Sequence, residues 1–344
     1  MPYFRKSTLR ILGTRCRSNN PTYATRSYAV VSPLIISQAP PPSALPGCLS
    51  LLDKTILTAL SKNGNNRNPS LKRLLSETIE NAGVVLDVSL PYESRPSEAR
   101  RPKFALSNEK SKANDPNDIL LVAHTMQDGS DHKVMVSSGF ALNAPSPREG
   151  ESLILTYTPL SATAAQGKKS SGSFVITGSG DSLSLHPVSS VVSSLAKPDL
   201  LLLSCRLSKG AVNTLPTSPY LVHSDTSIRV HFVMNDKPAD PGWTPWIGRT
   251  WRKWVSGKID GYRDFAGNET KPGTYDNLSH LLFTPPSTPD SHGGPIIDEE
   301  SGAVVGVVLG TRIDANRITG AQGWGVPAET IYEMFSLPGL EGKK

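Results

Sequence analysis

The segment Pro289-Asp290-Ser291-His292-Gly293-Gly294-Pro295 sets a carboxylate, a hydroxyl and an imidazole side by side, then two glycines and a proline. Glycine reaches backbone conformations closed to other residues and proline fixes its own φ, so such a segment turns sharply. A sharp turn brings consecutive backbone N–H groups toward one point, which is what an oxyanion requires beside a nucleophile. The chemistry such a loop would serve is nucleophilic, with an oxyanion held beside the nucleophile. Metal chemistry fits poorly, because His292, His280 and Asp290 have no ligand spacing on one regular element. Thiol chemistry fits poorly too. The three cysteines, Cys16, Cys48 and Cys205, form no CxxC, and Cys205 lies inside an apolar run away from the loop. No Walker loop, dinucleotide fingerprint or metalloprotease helix occurs, so neither cofactor nor metal is expected.

Such a loop needs a frame. From Ile119 onward, short β-branched runs recur with turn signals between them. They are Ile119–Met126, Val134–Leu142, Ser152–Thr158, Ser173–Ile176, Leu200–Leu207, Tyr220–His223, Ile228–Met234 and Ala303–Leu309. This rhythm predicts antiparallel β structure over roughly 119–327, enough for two small barrels, with Glu329–Phe335 as a terminal helix. Ahead of it, Leu51, Leu52, Ile56, Leu57 and Leu60 have helical spacing within 48–60. A second helix is expected behind Asn68 as N-cap and Pro69 in the first turn, with the stripe Leu71, Leu74, Leu75 and Ile79. Both stripes need a partner surface, so the pair is expected to dock on the β domain. Residues 93–118 are charged and proline-containing and read as an exposed, flexible loop.

The loop resembles the nucleophile loop of trypsin-like serine proteases, where two strands follow a glycine- and proline-rich turn. Other segments fall in the order that family requires. Val136–Leu142 looks like the first-barrel strand carrying a Ser-Gly-Phe sequence, and Ser152–Thr156 like the strand that delivers the catalytic histidine. Pro198-Asp199-Leu200-Leu201 looks like the start of the strand bearing the triad aspartate. Gly323-Trp324-Gly325-Val326-Pro327 resembles the cleft strand of the high-temperature-requirement proteases. The resemblance implies an all-β fold of two antiparallel six-stranded barrels over 119–337, with a short helical N-terminal extension within 29–118, a tail at 338–344 and no PDZ domain.

Carried over residue by residue, the resemblance implies a damaged serine endopeptidase. Asp199 matches the aspartate that orients an imidazole. Pro159 occupies the histidine slot and accepts no proton. His124 lies before the Ser-Gly-Phe strand, against the family order, and reads as an ordinary strand histidine. Counting back from Gly293-Gly294-Pro295 puts His292 in the nucleophile slot. In the other register Ser291 is the nucleophile, and an oxyanion donor falls on Pro289, which has no N–H. Asp290, Gly293 and Gly294 complete the oxyanion loop. Three functions follow: a pseudoprotease that binds peptide or protein segments, an active endopeptidase using Ser291 with Asp199, or a structural subunit of a mitochondrial assembly.

The chain carries 36 Lys and Arg against 30 Asp and Glu, a formal charge of +6. Residues 1–31 hold Arg5, Lys6, Arg10, Arg15, Arg17 and Arg26 and no acid. The remaining chain is neutral, which argues against nucleic acid as a partner. An Arg-rich, Ser/Thr-rich, acid-free leader has the composition of a mitochondrial presequence, with Arg26-Ser27-Tyr28-Ala29 as a processing site after residue 28. No run of apolar residues is long enough for a transmembrane helix. Trp243, Trp246, Trp251 and Trp254 crowd together with Arg249, Arg252 and Lys253. Packing over the second barrel is the first expectation for them, a protein partner the second and nucleic acid the third.

Overall fold

The β-branched runs after Ile119 form strands in the computed structural model. Its described residues are 49–62, 69–91, 118–129, 131–157, 170–208, 210–272, 278–313 and 320–337. The leader, Pro159, the tail from 338 and nearly all of the charged loop lie outside them. Six strands build the first barrel: β1 (Ile119–Asp128), β2 (Asp131–Leu142), β3 (Ser152–Tyr157), β4 (Ser170–Ser179), β5 (Ser182–Leu195) and β6 (Leu200–Cys205). Their order is β1-β4-β5-β6-β3-β2, and β1 pairs back onto β2 to close the ring. A short β7 (Thr214–Leu215) runs parallel to the end of β2.

The second barrel is laid out after it: β8 (Ser227–Met234), β9 (Thr244–Pro245), β10 (Trp251–Arg263), β11 (Glu269–Thr270), β12 (His280–Thr284), β13 (Pro295–Asp298), β14 (Val304–Ile313) and β15 (Ala321–Pro327). Its ring runs β10-β12-β15-β14-β13-β8, closed by β8 on β10. Closure removes exposed strand edges, which a nearly all-β chain must otherwise protect. The architecture is therefore the expected pair of closed, six-stranded antiparallel barrels.

Two helices precede the barrels. α1 (Leu51–Lys62) buries Leu52, Ile56 and Leu60 on one face. They join a core that holds Leu121 and Phe174 of the first barrel together with Trp246, Ile247 and Val307 of the second. Each such side chain contributes about 1.5–3 kcal/mol when fully buried, so α1 fastens both barrels. α2 (Leu71–Glu80) starts two residues later than Asn68 predicts, because Ser70 is the N-cap and accepts from the Arg73 N–H. Its stripe is also shorter than expected. Leu71 and Leu74 are buried, but Ile79 is 77% exposed. Polar ties dock its far end instead: Asn81 Nδ2 donates to the Val191 carbonyl at 2.7 Å, and the Val191 N–H to Glu77 at 2.9 Å. At the other end of the chain, Glu329–Tyr332 is a single turn, α3.

Among the longer strands, β5, β10 and β12 were absent from the expectation. β5 is serine-rich, contains Pro187, and shifts register twice against β6, which hides its alternation. β10 is the tryptophan segment itself. The run Tyr220–His223, expected as a strand, is irregular chain between the barrels.

Candidate functional site

The loop between β12 and β13 begins with a 3-10 turn, Pro289–Ser291. Ser291 sits at 0% exposure and its hydroxyl turns into the second barrel. The Val233 N–H donates to Ser291 Oγ at 3.0 Å, and Ser291 Oγ lies 2.5 Å from Thr288 Oγ1. Thr288 Oγ1 in turn donates to the Val233 carbonyl at 2.7 Å. Each hydroxyl has one proton, so the order is fixed. Val233 N–H donates to Ser291, Ser291 to Thr288, and Thr288 back to the Val233 carbonyl. The cause is local strand geometry. β13 pairs with β8 only from Ile228 to Val230, so at Val233 two hydroxyls stand in for a missing strand partner.

His292 fills the slot before the glycines. Its ring lies 5.4 Å from the Tyr157 ring at an interplanar angle of 30°. Gly310 makes room for it, since a Cβ there would lie 2.9 Å from His292 Nε2. Burial holds the His292 pKa below the usual imidazole range, with a hydrogen bond at Pro289 acting in the opposite direction. The ring is thus neutral at pH 7.

The glycines explain why the loop is built as it is. Gly293 has φ +81, and a Cβ on it would lie 2.3 Å from the Ser138 carbonyl oxygen. Its N–H donates to the Val308 carbonyl at 2.8 Å, the Gly294 N–H to the Ser291 carbonyl at 3.0 Å, and the Ser291 N–H to the Thr288 carbonyl at 3.1 Å. These three N–H groups are committed within the protein instead of converging on an empty point. Asp290 is tied on the other flank by Asn235 Nδ2 at 3.0 Å. Burial pushes its carboxyl up to about 6, a hydrogen bond at Asn235 opposes this, and the charge of Asp236 adds to it.

Asp199 stands in the turn before β6 with φ +54, and its side chain is exposed. Partial desolvation raises its carboxyl with no cation or donor opposing it. Among the described residues no histidine bonds to it. Its charge is felt by Tyr157, whose phenol is raised first by burial and then by Asp199. Thus the structure gathers His292, Tyr157 and Asp199 in one region, while the Ser291 hydroxyl faces away into β8. Pro159 lies outside the described residues.

The fold is the trypsin-like one. The strand pairing of the two closed barrels carries that statement. No protein-family model matches the chain, and no curated protein matches its sequence. Among solved structures it is similar to that of Deg5, at 16% identity and a TM-score of 0.40, over 63% of this chain and 87% of that one. It is also similar to the active form of the Rv3671c protease from M. tuberculosis, at 18% identity and a TM-score of 0.39, over 71% and 91%.

Within this trypsin-like frame the flanks of the loop are drawn together. Thr311 Oγ1 on β14 donates to the Ser287 carbonyl at 2.8 Å, joining the strand to the chain that leads into the loop. Three further histidines, His124, His231 and His280, sit in packing roles. His124 is buried with Nδ1 2.6 Å from Ser173 Oγ, and burial lowers its pKa to about 4. His280 stacks on Trp324 at 4.1 Å. Trp246 and Trp254 each meet the buried His231 ring edge-on at 5.0 Å, and cations cover tryptophan faces, as with Arg252 over Trp246. Sequence reasoning missed Thr288 and Tyr157 as members of the site. The Thr288–Ser291 spacing inside a proline turn was the available signal, because hydroxyls three residues apart in such a turn face the same side.

Proposed function

We propose that this chain is a trypsin-like-fold protein without peptidase chemistry, acting in mitochondria by binding peptide or protein segments. The observation that supports it most is the closed ring of hydrogen bonds holding Ser291 at 0% exposure. A serine nucleophile needs an exposed oxygen, a base within reach of its proton, and donors aimed at the developing oxyanion. Here the proton goes to Thr288, Asp199 has no imidazole among the described residues, and the N–H groups of Ser291, Gly293 and Gly294 bond internally. Taking His292 as the nucleophile helps little, because a neutral ring packed against Gly310 and Tyr157 also lacks a base. What such a frame retains is surface. The address rests on the acid-free leader at 1–28.

The test is a fluorophosphonate probe on the processed protein. No labelling is expected. Labelling of the native chain that Ser291→Ala abolishes would overturn the reading and restore the active endopeptidase. The address is tested separately, by fusing residues 1–48 to a fluorescent protein. Mitochondrial import with a cut near Ala29 is expected, and a fusion left in the cytosol refutes it.

A further inference from the structure

A cavity of about 440 Å³ lies on a part of the molecule that the loop does not reach. It opens between Leu90 and Pro91, the chain joining the two barrels, and the turn from Asp298 to Ala303. Apolar groups line most of it, with Pro216, Pro219 and Val222 on the connecting chain, and the half-exposed Tyr220 among the lining residues. One polar group is out of balance. Thr217 is 8% exposed and its Oγ1 is buried with no hydrogen-bond partner. Its backbone is already occupied, since the Thr217 carbonyl accepts from Tyr332 OH at 2.8 Å. An orphaned buried hydroxyl is destabilising, and a ligand acceptor recovers its hydrogen bond. The neighbouring turn is acidic, with Asp298 in the wall and exposed Glu300 beside it, whereas Glu299 is paired with Arg229 at 2.9 Å; among the described residues no basic side chain lines the cavity.

We propose that this cavity is the binding site of the protein: it takes an apolar side chain from an extended partner peptide with basic flanks. A peptide carbonyl accepts from Thr217 Oγ1, the apolar side chain fills the space among the prolines beside Tyr220, and the acidic turn favours Lys or Arg next to it. This rests on the binding reading above and moves the bound segment from the loop to the junction of the barrels. Apolar concavity with a few directed polar groups is the usual make-up of such a site.

The experiment is fluorescence anisotropy of a labelled Lys-Leu-Phe-Lys peptide on the full chain, with Glu-Leu-Phe-Glu and Lys-Gly-Gly-Lys as comparisons. Only the basic apolar peptide is expected to bind. Thr217→Val is expected to weaken it about fivefold to tenfold while Tm holds or rises, because the orphan hydroxyl is gone. A merely structural Thr217 does not give those opposite signs. Tyr220→Ala, on a half-exposed ring, is expected to weaken binding without loss of fold. Absence of binding at ~1 mM peptide, or equal binding by both variants, overturns the site. That failure is distinct from probe labelling at Ser291, which overturns the loss of chemistry and leaves the cavity untouched.

Discussion

A serine hydroxyl is defined by where its proton goes. In this chain the Ser291 proton is spent on Thr288, and the oxygen serves the Val233 N–H. Ser291→Ala therefore strands a buried backbone donor and breaks the ring, at a cost of about 1–3 kcal/mol, visible as a lower denaturant midpoint. An unchanged midpoint means that the ring contributes nothing. The loop itself was legible, since glycines before a proline announce a sharp turn. The direction of the hydroxyl was not, because it depends on where β13 stops pairing with β8, a long-range property of strand register. Buried imidazoles supply a second residue-scale prediction. Burial lowers the pKa of His231 to about 3 and that of His124 to about 4, from an unfolded value near 6.5. Below pH 6.5 the unfolded chain takes up protons that the folded chain refuses, so stability falls as pH drops from about 6.5 toward 3–4. Urea midpoints measured from pH 7 to pH 4 are expected to decline steadily. His231→Phe should flatten that decline, and an unaltered slope discounts His231 as its source.

At the scale of elements, α1 stands out because its apolar face meets both barrels. Gly248, in the turn before β10, has φ +62, and a Cβ on it would lie 2.9 Å from Leu52 Cβ. Gly248→Ala is thus strained in backbone and crowded against the helix. A loss of about 1–3 kcal/mol is expected from the two effects together, measured by thermal unfolding, and a stabilised variant contradicts the clamp. The helical stripe of α1 was readable because its partner surface is apolar throughout. α2 was readable only at its start. Past Leu74 it is held by Glu77, Thr78 and Asn81 bonding to β5, and no apolar period records such ties. β5 escaped for the converse reason, since its buried Ser193 and Ser194 satisfy partners on α2 and in the chain after it.

Across the whole molecule, charge and architecture divide cleanly. The basic excess belongs to residues 1–31, and the rest of the chain is neutral. A cut near Ala29, as proposed, would move the isoelectric point from 9.1 to near neutrality, which isoelectric focusing of the chain recovered from cells reads directly. A recovered chain that still focuses near 9 has kept its leader. The two-barrel plan followed from strand rhythm and loop order, which are short-range features. The cavity at the barrel junction did not, because its walls come from four separated stretches of chain that only folding brings together.

Gly293 carries a consequence for how such chains change over time. Its missing side chain lets it approach Ser138 and Tyr157 of the first barrel, and its N–H holds Val308 of the second. That makes it a stitch in the seam between the barrels, whatever happens to the chemistry beside it. A chain of this fold that does not cut peptides must still retain the glycine to remain folded, just as it must retain Ser291 to keep the Val233 ring. The motif that looks like a relic of catalysis is then maintained by architecture, and its survival in a sequence is no measure of activity.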